Sequence, residues 1–232
     1  MERVDKKKQV GVLKLGGSFL IKDGKPDIDR MYEMTCIVYN LALRYRLIIV
    51  IGGGTTARNY INAASKLDAS KGVCDQMGIL VSRLNARLMI EALGEDCCPY
   101  PPENLEDVRN MISLYPYVVL GGLTPGQSTT AVAALCGEYC KAEQIVFATD
   151  VRGVYDKDPR KYKDAKPLPK VSYEELKQFI SKGNTDPGQY RIMDGMGLTI
   201  LERSSIKARI VNDEVDNILK AFNGDNIGTL IC

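Results

Sequence analysis

Short apolar runs alternate with amphipathic stretches along most of the chain. Val10–Leu15 predicts a first buried strand, closed by Gly16-Gly17. Met31, Met34, Val38, Leu41 and Tyr45 then recur three or four apart, the spacing of one helix face. Leu47–Ile51 predicts a second buried strand, followed by Gly52-Gly53-Gly54 and a helix to about Leu67. Met77, Leu80, Val81, Leu84 and Leu88 mark another long helix ending near Gly94. Pro99, Pro101 and Pro102 interrupt the pattern before Tyr117–Leu120 resumes it as a strand running into Gly121-Gly122. An alanine-rich helix from Thr129 to about Lys141 and a strand at Ile145–Ala148 follow. Residues 152–170, rich in Lys, Asp and Pro, predict an exposed hairpin or lobe. Helices around 172–181 and 194–203, a strand at Ile206–Val211, a helix at 213–222 and a strand near 229–231 complete the chain.

Buried strands alternating with helices imply an α/β fold with a parallel or mostly parallel sheet covered on both faces. In such sheets ligands collect at the carboxyl ends of the strands, and three of the first four strands end here in glycines. With 232 residues, 45% hydrophobic and 26% charged, one domain is expected. Within it, residues 1–9 form a charged tail, and roughly 10–142 and 143–232 form two halves. No apolar run approaches the roughly 18 residues that a membrane span needs. The charged start MERVDKKKQ is unlike a secretory signal. Net charge is +2 with both signs interspersed, and no basic face points to nucleic acid.

Two counts narrow the chemistry. The absence of histidine excludes Ser-His-Asp and Cys-His catalysis, histidine zinc ligands and a histidine phosphocarrier. The seven cysteines are scattered without a CxxC pair, so a zinc site is not expected, and reduced thiols in a cytoplasmic protein are. Cys136 and Cys140, four apart on a helix, are expected to pack as small hydrophobes.

The glycine turns carry the candidate chemistry: Lys14-Leu15-Gly16-Gly17-Ser18, Gly52-Gly53-Gly54-Thr55-Thr56, and the long turn Gly121 to Thr129. Each places backbone N–H groups before a helix N-terminus, an arrangement suited to phosphate. GxxxxGK[ST] is absent, which excludes a P-loop, and no GxGxxG follows a strand, which weighs against a Rossmann dehydrogenase. Lys14 stands in an otherwise buried strand. It either reaches solvent at the strand edge or neutralises an anion. Arg58, just inside the helix after the triple glycine, is the second cation within reach.

Together the segments VLKLGGSFL, VIGGGTTARNYI, DQMGILVSRLNARL, GGLTPGQSTTAVAAL, ATDVRGVYDKDPRKYKDAK and MDGMGLTILERSSIKARIVN resemble the amino acid kinase superfamily. Within it they are similar to the uridylate (UMP) kinases of archaeal type, with PGQST and SRLNA the most pointed elements. The resemblance implies a three-layer α/β/α sandwich around a mostly parallel sheet. It also implies transfer of the γ-phosphoryl of ATP to UMP, with Mg2+ arriving with ATP, in a homohexamer. By that resemblance Lys14, Gly17, Ser18, Gly54 and Arg58 would contact the ATP phosphates. Thr149, Asp150, Tyr155 and Asp158 would form the adenosine site. Gly53, Asp75 and the segment Leu123, Thr124, Pro125, Gly126, Gln127, Ser128 and Thr129 would hold UMP. Asp194 would orient Lys14, with a helix N-cap as the alternative use for it. Asp150 and Arg152 depart from the family, which commonly has Asn and Asp there. The alternatives are another phosphotransferase of the superfamily or a non-catalytic nucleotide-binding or storage protein on the same fold.

Overall fold

A computed structural model of the chain describes residues 8–22, 24–159, 161–182 and 193–232. Of the basic run Lys6-Lys7-Lys8, only Lys8 falls within them, its ammonium donating to the Ala42 carbonyl at 2.8 Å. In chain order the elements begin with β1 (Gln9–Leu15), the short α1 (Gly17–Leu20) and a small hairpin of β2 (Ile21–Lys22) and β3 (Lys25–Pro26). Then come α2 (Ile28–Ala42), β4 (Tyr45–Ile51), α3 (Gly54–Lys66), α4 (Lys71–Leu93), α5 (Leu105–Leu114) and β5 (Tyr117–Leu120). Next are α6 (Thr129–Tyr139), β6 (Gln144–Thr149), and the short strands β7 (Val154–Tyr155), β8 (Pro167–Leu168) and β9 (Lys170–Val171). Finally come α7 (Tyr173–Lys182), α8 (Gly195–Ser204), β10 (Lys207–Asn212), α9 (Val215–Asn223) and β11 (Thr229–Ile231).

Seven strands form one sheet in the order β5-β4-β1-β6-β10-β11-β9, parallel except for the β10–β11 pair. Leu47 to Ile51 of β4 and Ile145 to Ala148 of β6 are buried on both faces, as a sheet covered by helices on both sides demands. The chain leaves β1 outward through β4 and β5, then returns to β1's other side with β6 and β10. That reversal opens a crevice at the carboxyl end of β1, where the glycine turns lie. Helix α6 lies close against the sheet because its inner face is small. Ala131, Ala133, Ala134 and Gly137 are buried, and a Cβ on Gly137 would meet Ile145 Cδ1 at 2.5 Å.

The α/β reading and most predicted elements match, and the 152–170 excursion contains an antiparallel β7–β8 pair. One local expectation needs correction, and two details go beyond the sequence pattern. Tyr45 belongs to β4, not to the helix face before it. Helix α2 closes with Leu43 and Arg44 N–H groups on carbonyls only three residues back, and Tyr45 then pairs with Gln9. The periodic stripe on α4 marks the helix as expected but is split between core and surface, with Val81 buried and Leu88 packed against the core. Leu80 and Leu84 are 51% and 62% exposed, while Ile79, Ala86, Met89, Ile90 and Leu93 turn inward. Helix α5 was hidden behind the prolines, yet it has a capping residue, since Asn104 accepts from the Asp107 N–H at 2.8 Å. Cys136 packs fully buried, as expected, and Cys140 is half-buried.

Candidate active site

The first two glycine turns are built against each other. A Cβ on Gly17 would lie 2.0 Å from the Gly54 nitrogen, and one on Gly54 would lie 2.8 Å from the Gly17 carbonyl. Gly54 also has φ +63°, a conformation that L side chains resist. The two backbones therefore touch directly, and only glycine fits on either side. The Gly52 N–H donates to the Leu15 carbonyl at 3.0 Å, tying the ends of β4 and β1 together. Asn85 of α4, itself buried, donates to the Gly52 carbonyl at 3.0 Å and fixes the second turn from below.

Lys14 lies near the end of β1, flanked in register by Val50 and Phe147, and is half-buried at the base of the crevice. Burial pulls its pKa below the ordinary lysine value, and the carboxylates of Asp150, Asp194 and Asp213 pull it back up. Among the described residues no carboxylate stands within ion-pair distance of it, and Lys14 lines the cavity described below. Asp213 escaped sequence reasoning. It follows β10 directly, its N–H donates to the Thr149 carbonyl at 2.8 Å, and burial raises its carboxyl pKa against the opposing pull of Arg30. The carboxyl-end rule that flagged the glycine turns would have flagged it too.

The third turn has a different construction. Cβ atoms on Gly121 and Gly122 would meet α4, at 2.6 Å from Arg83 N and 2.9 Å from Ile79 Cγ1. The Gly122 N–H is already taken by Ser82 Oγ at 2.8 Å. Arg83 donates to the carbonyls of Gly122 (3.0 Å) and Leu123 (3.2 Å) while pairing with Glu103 at 2.9 Å. The SRLNA segment thus works as a brace: Ser82 and Arg83 hold the third turn and Asn85 the second. Beyond the glycines, Asp75 Oδ2 accepts from the Gly126 N–H at 2.9 Å, which fixes the 123–129 loop over α4. Ser128 caps α6, accepting from the N–H groups of Thr130 (3.1 Å) and Ala131 (3.0 Å), and its hydroxyl donates to Asp194 Oδ2. Asp194 caps α8 by accepting from the Gly197 N–H at 2.9 Å.

A cavity of about 390 Å³ joins these parts. Of the expected residues, Lys14, Gly17, Ser18, Gly53, Gly54, Arg58, Asp75, Gln127 and Thr129 line it. Ala57, Ile61, Gly78, Ile79 and Ser82 line it as well and were not anticipated. Leu123, Thr124, Pro125, Gly126, Ser128 and Asp194 lie outside that lining, as do Thr149, Asp150, Tyr155 and Asp158. Thr149 and Asp150 sit at the end of β6, where the Thr149 hydroxyl donates to Asp150 Oδ1 at 3.1 Å. Tyr155 and Asp158 belong to the β7–β8 excursion. Gln127 Oε1 is buried in the wall with no hydrogen-bond partner, an acceptor that a ligand donor would satisfy.

A crevice at the carboxyl ends of parallel strands, walled by facing glycine backbones with one half-buried lysine at its base, defines an α/β protein made to hold phosphoryl groups. The amino acid kinase family model matches residues 9–212, and the chain belongs to that family. It is 40% identical over 222 residues to uridylate kinase of Hyperthermus butylicus, covering 95% of this chain and 96% of that one. To uridylate kinase of Methanobrevibacter smithii it is 36% identical over 221 residues, covering 95% and 97%. The crystal structure of uridylate kinase from Archaeoglobus fulgidus superposes with a TM-score of 0.87 at 35% identity, covering 97% of this chain and all of that one.

Proposed function

We infer that the chain is a uridylate kinase that moves the γ-phosphoryl group of ATP to UMP, releasing ADP and UDP. The observation that carries the reading is Lys14 at the base of two facing glycine turns, in a chain matched nearly end to end by uridylate kinases. The bond from the γ-phosphorus to the β-bridging oxygen breaks as a UMP phosphate oxygen attacks. That nucleophile is already an anion, so no general base is required and the missing histidine costs nothing. What the protein must supply is alignment and charge stabilisation on the moving phosphoryl. The Lys14 ammonium and the amides near Gly17 and Gly54 supply charge without reorganising.

In this reading Lys14, Gly17, Ser18, Gly54 and Arg58 hold the ATP phosphates, and Thr149, Asp150, Tyr155 and Asp158 border the adenosine. Gly53, Asp75 and the 123–129 loop hold UMP, with Gln127 facing the cavity. Residues 10–142 form the acceptor half and 143–232 the donor half of one domain sharing the sheet. Among the described residues no three acidic or thiol groups are grouped closely enough to cage a metal. Asp150 and Asp213, which both bear on the charge of Lys14, are the carboxylates that would help hold a divalent cation carried in by ATP, and such an ion would neutralise phosphate charge. Asp194, whose charge raises the pKa of Lys14, would keep the ammonium directed at the transferring group.

Val73, Leu80 and Leu84 expose an apolar stripe along α4, with Tyr60 of α3 also exposed. Such a stripe suits contact with a second copy and supports the expected homohexamer. Leu84→Glu is expected to lower the mass measured by sedimentation, and an unchanged mass would remove α4 from the assembly surface. No described helix is long and apolar enough to cross a membrane, and seven free thiols suit a reducing cytoplasm.

The test is ADP formation from MgATP against UMP, CMP, dUMP, AMP, isopentenyl phosphate, acetylglutamate and carbamate. Preference for UMP with UDP as product is the expected result. Turnover of another acceptor with UMP inert overturns the acceptor assignment. Tight nucleotide binding with no turnover overturns the kinase reading altogether.

A further inference from the structure

Ser128 belongs to the loop assigned above to UMP, yet its side chain has nothing left to offer a nucleotide. A hydroxyl has one proton and two lone pairs. The proton goes to Asp194 Oδ2, and the oxygen accepts from the N–H groups of Thr130 and Ala131 at 3.1 and 3.0 Å. Asp194 is held from the other side, where Oδ1 accepts from the Gly197 N–H at 2.9 Å. Two helices therefore grip one carboxylate: α8 through its first turn, and α6 through the hydroxyl that caps it. Their N-termini meet at this point, and a Cβ on Gly197 would come within 3.5 Å of the Ala131 nitrogen. A carboxylate held through one oxygen can still rotate, whereas held through both its plane is set.

We propose that Ser128 is a positioning residue that fixes the Asp194 carboxylate toward Lys14 and couples the acceptor loop to the donor half. Asp150, Asp194 and Asp213 each raise the pKa of Lys14, Arg58 lines the same cavity as the lysine, and Asp194 bonds to Ser128 of the acceptor loop. When the loop from Leu123 to Thr129 settles on an acceptor, Ser128 settles with it, and the counter-charge of the lysine is set in the same movement. The proposal rests on the kinase reading, because it takes Lys14 as the cation that meets the phosphoryl group.

The test is a double-mutant cycle on the full chain, with UMP phosphorylation measured for the wild type, Ser128→Ala, Asp194→Asn and the double variant. Ser128→Ala is expected to lower kcat by about tenfold, with KM for UMP unchanged within about twofold. In the Asp194→Asn background the same change is expected to add almost nothing, because its route to Lys14 is already cut. Ser128→Thr, which keeps the hydroxyl and the cap, is expected to restore kcat. A raised KM for UMP at unchanged kcat would show direct contact with the acceptor and overturn the proposal. Losses that multiply in the double variant would overturn it too, because a missing α6 cap acts regardless of Asp194. Should Ser128→Ala fail to fold, Ser128→Gly carries the cycle, since glycine is tolerated at an N-cap. Competitive labelling of Lys14 with acetic anhydride across pH, read by mass spectrometry, runs the same cycle without turnover. There Ser128→Ala should change the labelling profile only where Asp194 is intact, and a profile unmoved by Ser128→Ala overturns the link. A wild-type chain inert toward UMP would sink the kinase reading alone and leave the labelling cycle to decide the link.

Discussion

The first and third glycine turns look alike as sequence, each a buried strand running into a glycine pair before a helix. They do different things. At the first, Gly17 meets the backbone of Gly54 and the contact forms one wall of the cavity beside Lys14. At the third, Gly121 and Gly122 let helix α4 pass, and the Gly122 N–H is consumed by Ser82. A glycine pair at a strand end therefore signals close approach of two backbones, without saying whether the second belongs to a phosphate cradle or to a supporting helix. Only the partner's identity decides, and the partners come from distant parts of the chain.

The largest expected effect falls on the side that faces the ligand. Lys14→Met removes the half-buried cation while keeping the volume of the side chain. It should cut kcat by roughly 10²–10³-fold with the fold intact. Retained turnover with normal nucleotide binding would end its role in stabilising charge. Next come the glycines themselves, compared pairwise. Gly17→Ala places a methyl 2.0 Å from a backbone nitrogen, and Gly121→Ala places one 2.6 Å from the backbone of α4. Neither clash can be relieved by a side chain turning away, so each variant should lose about 1–3 kcal/mol of stability. The kinetic losses should separate: Gly17→Ala should chiefly raise KM for ATP, and Gly121→Ala chiefly KM for UMP. Identical kinetic patterns in the two would erase the distinction between cradle and brace.

How far these roles were legible follows from how local their signals are. Lys14 and the glycine turns could be read because a charge in a buried strand and a glycine run are short-range features. Tyr45 was misplaced because helical spacing does not mark where a helix closes, and here α2 ends in tight three-residue bonds just before the strand begins. On α4 the apolar positions at Leu80 and Leu84 marked the helix but not its buried side, because apolar residues also cover surfaces, and the inner face carries Ser82 and Asn85. Those two polar residues are buried because they bond to backbone groups 40 and 33 positions away, which no periodicity encodes. SRLNA could be recognised as a motif, but its physical use needed the fold. Asp194 shows the same limit from another angle: it caps α8, one of the two uses weighed from sequence, and that use does not exclude the other, since its charge also raises the pKa of Lys14.

Arg83 sharpens the comparison from the brace side. Its guanidinium holds two loop carbonyls and Glu103 at once, so Arg83→Leu leaves the Gly122 and Leu123 carbonyls without that donor. Loss of the bonds should cost about 1–3 kcal/mol of stability. KM for UMP should rise by roughly tenfold, with KM for ATP nearly constant. Equal rises in both constants would mean that α4 braces the whole crevice rather than the third turn alone.

The smallest expected effect concerns pH and returns to the first turn. Burial lowers the pKa of Lys14 while Asp150, Asp194 and Asp213 raise it. Between that lowered value and the ordinary lysine value, the unfolded chain keeps a proton that the folded chain has lost. The lysine's contribution to stability therefore improves as pH climbs through this window. Activity that needs the ammonium falls through the same window, so rate and stability should move in opposite directions on the alkaline side. The stability difference between the wild type and Lys14→Met, followed by Tm across pH, should then shift in the wild type's favour while kcat declines. Asp213→Asn removes one of the three acids that support the charge, and both transitions should move together to lower pH. A kcat limb that ignores Asp213→Asn, while the stability transition follows it, would assign the alkaline loss of rate to a group other than Lys14.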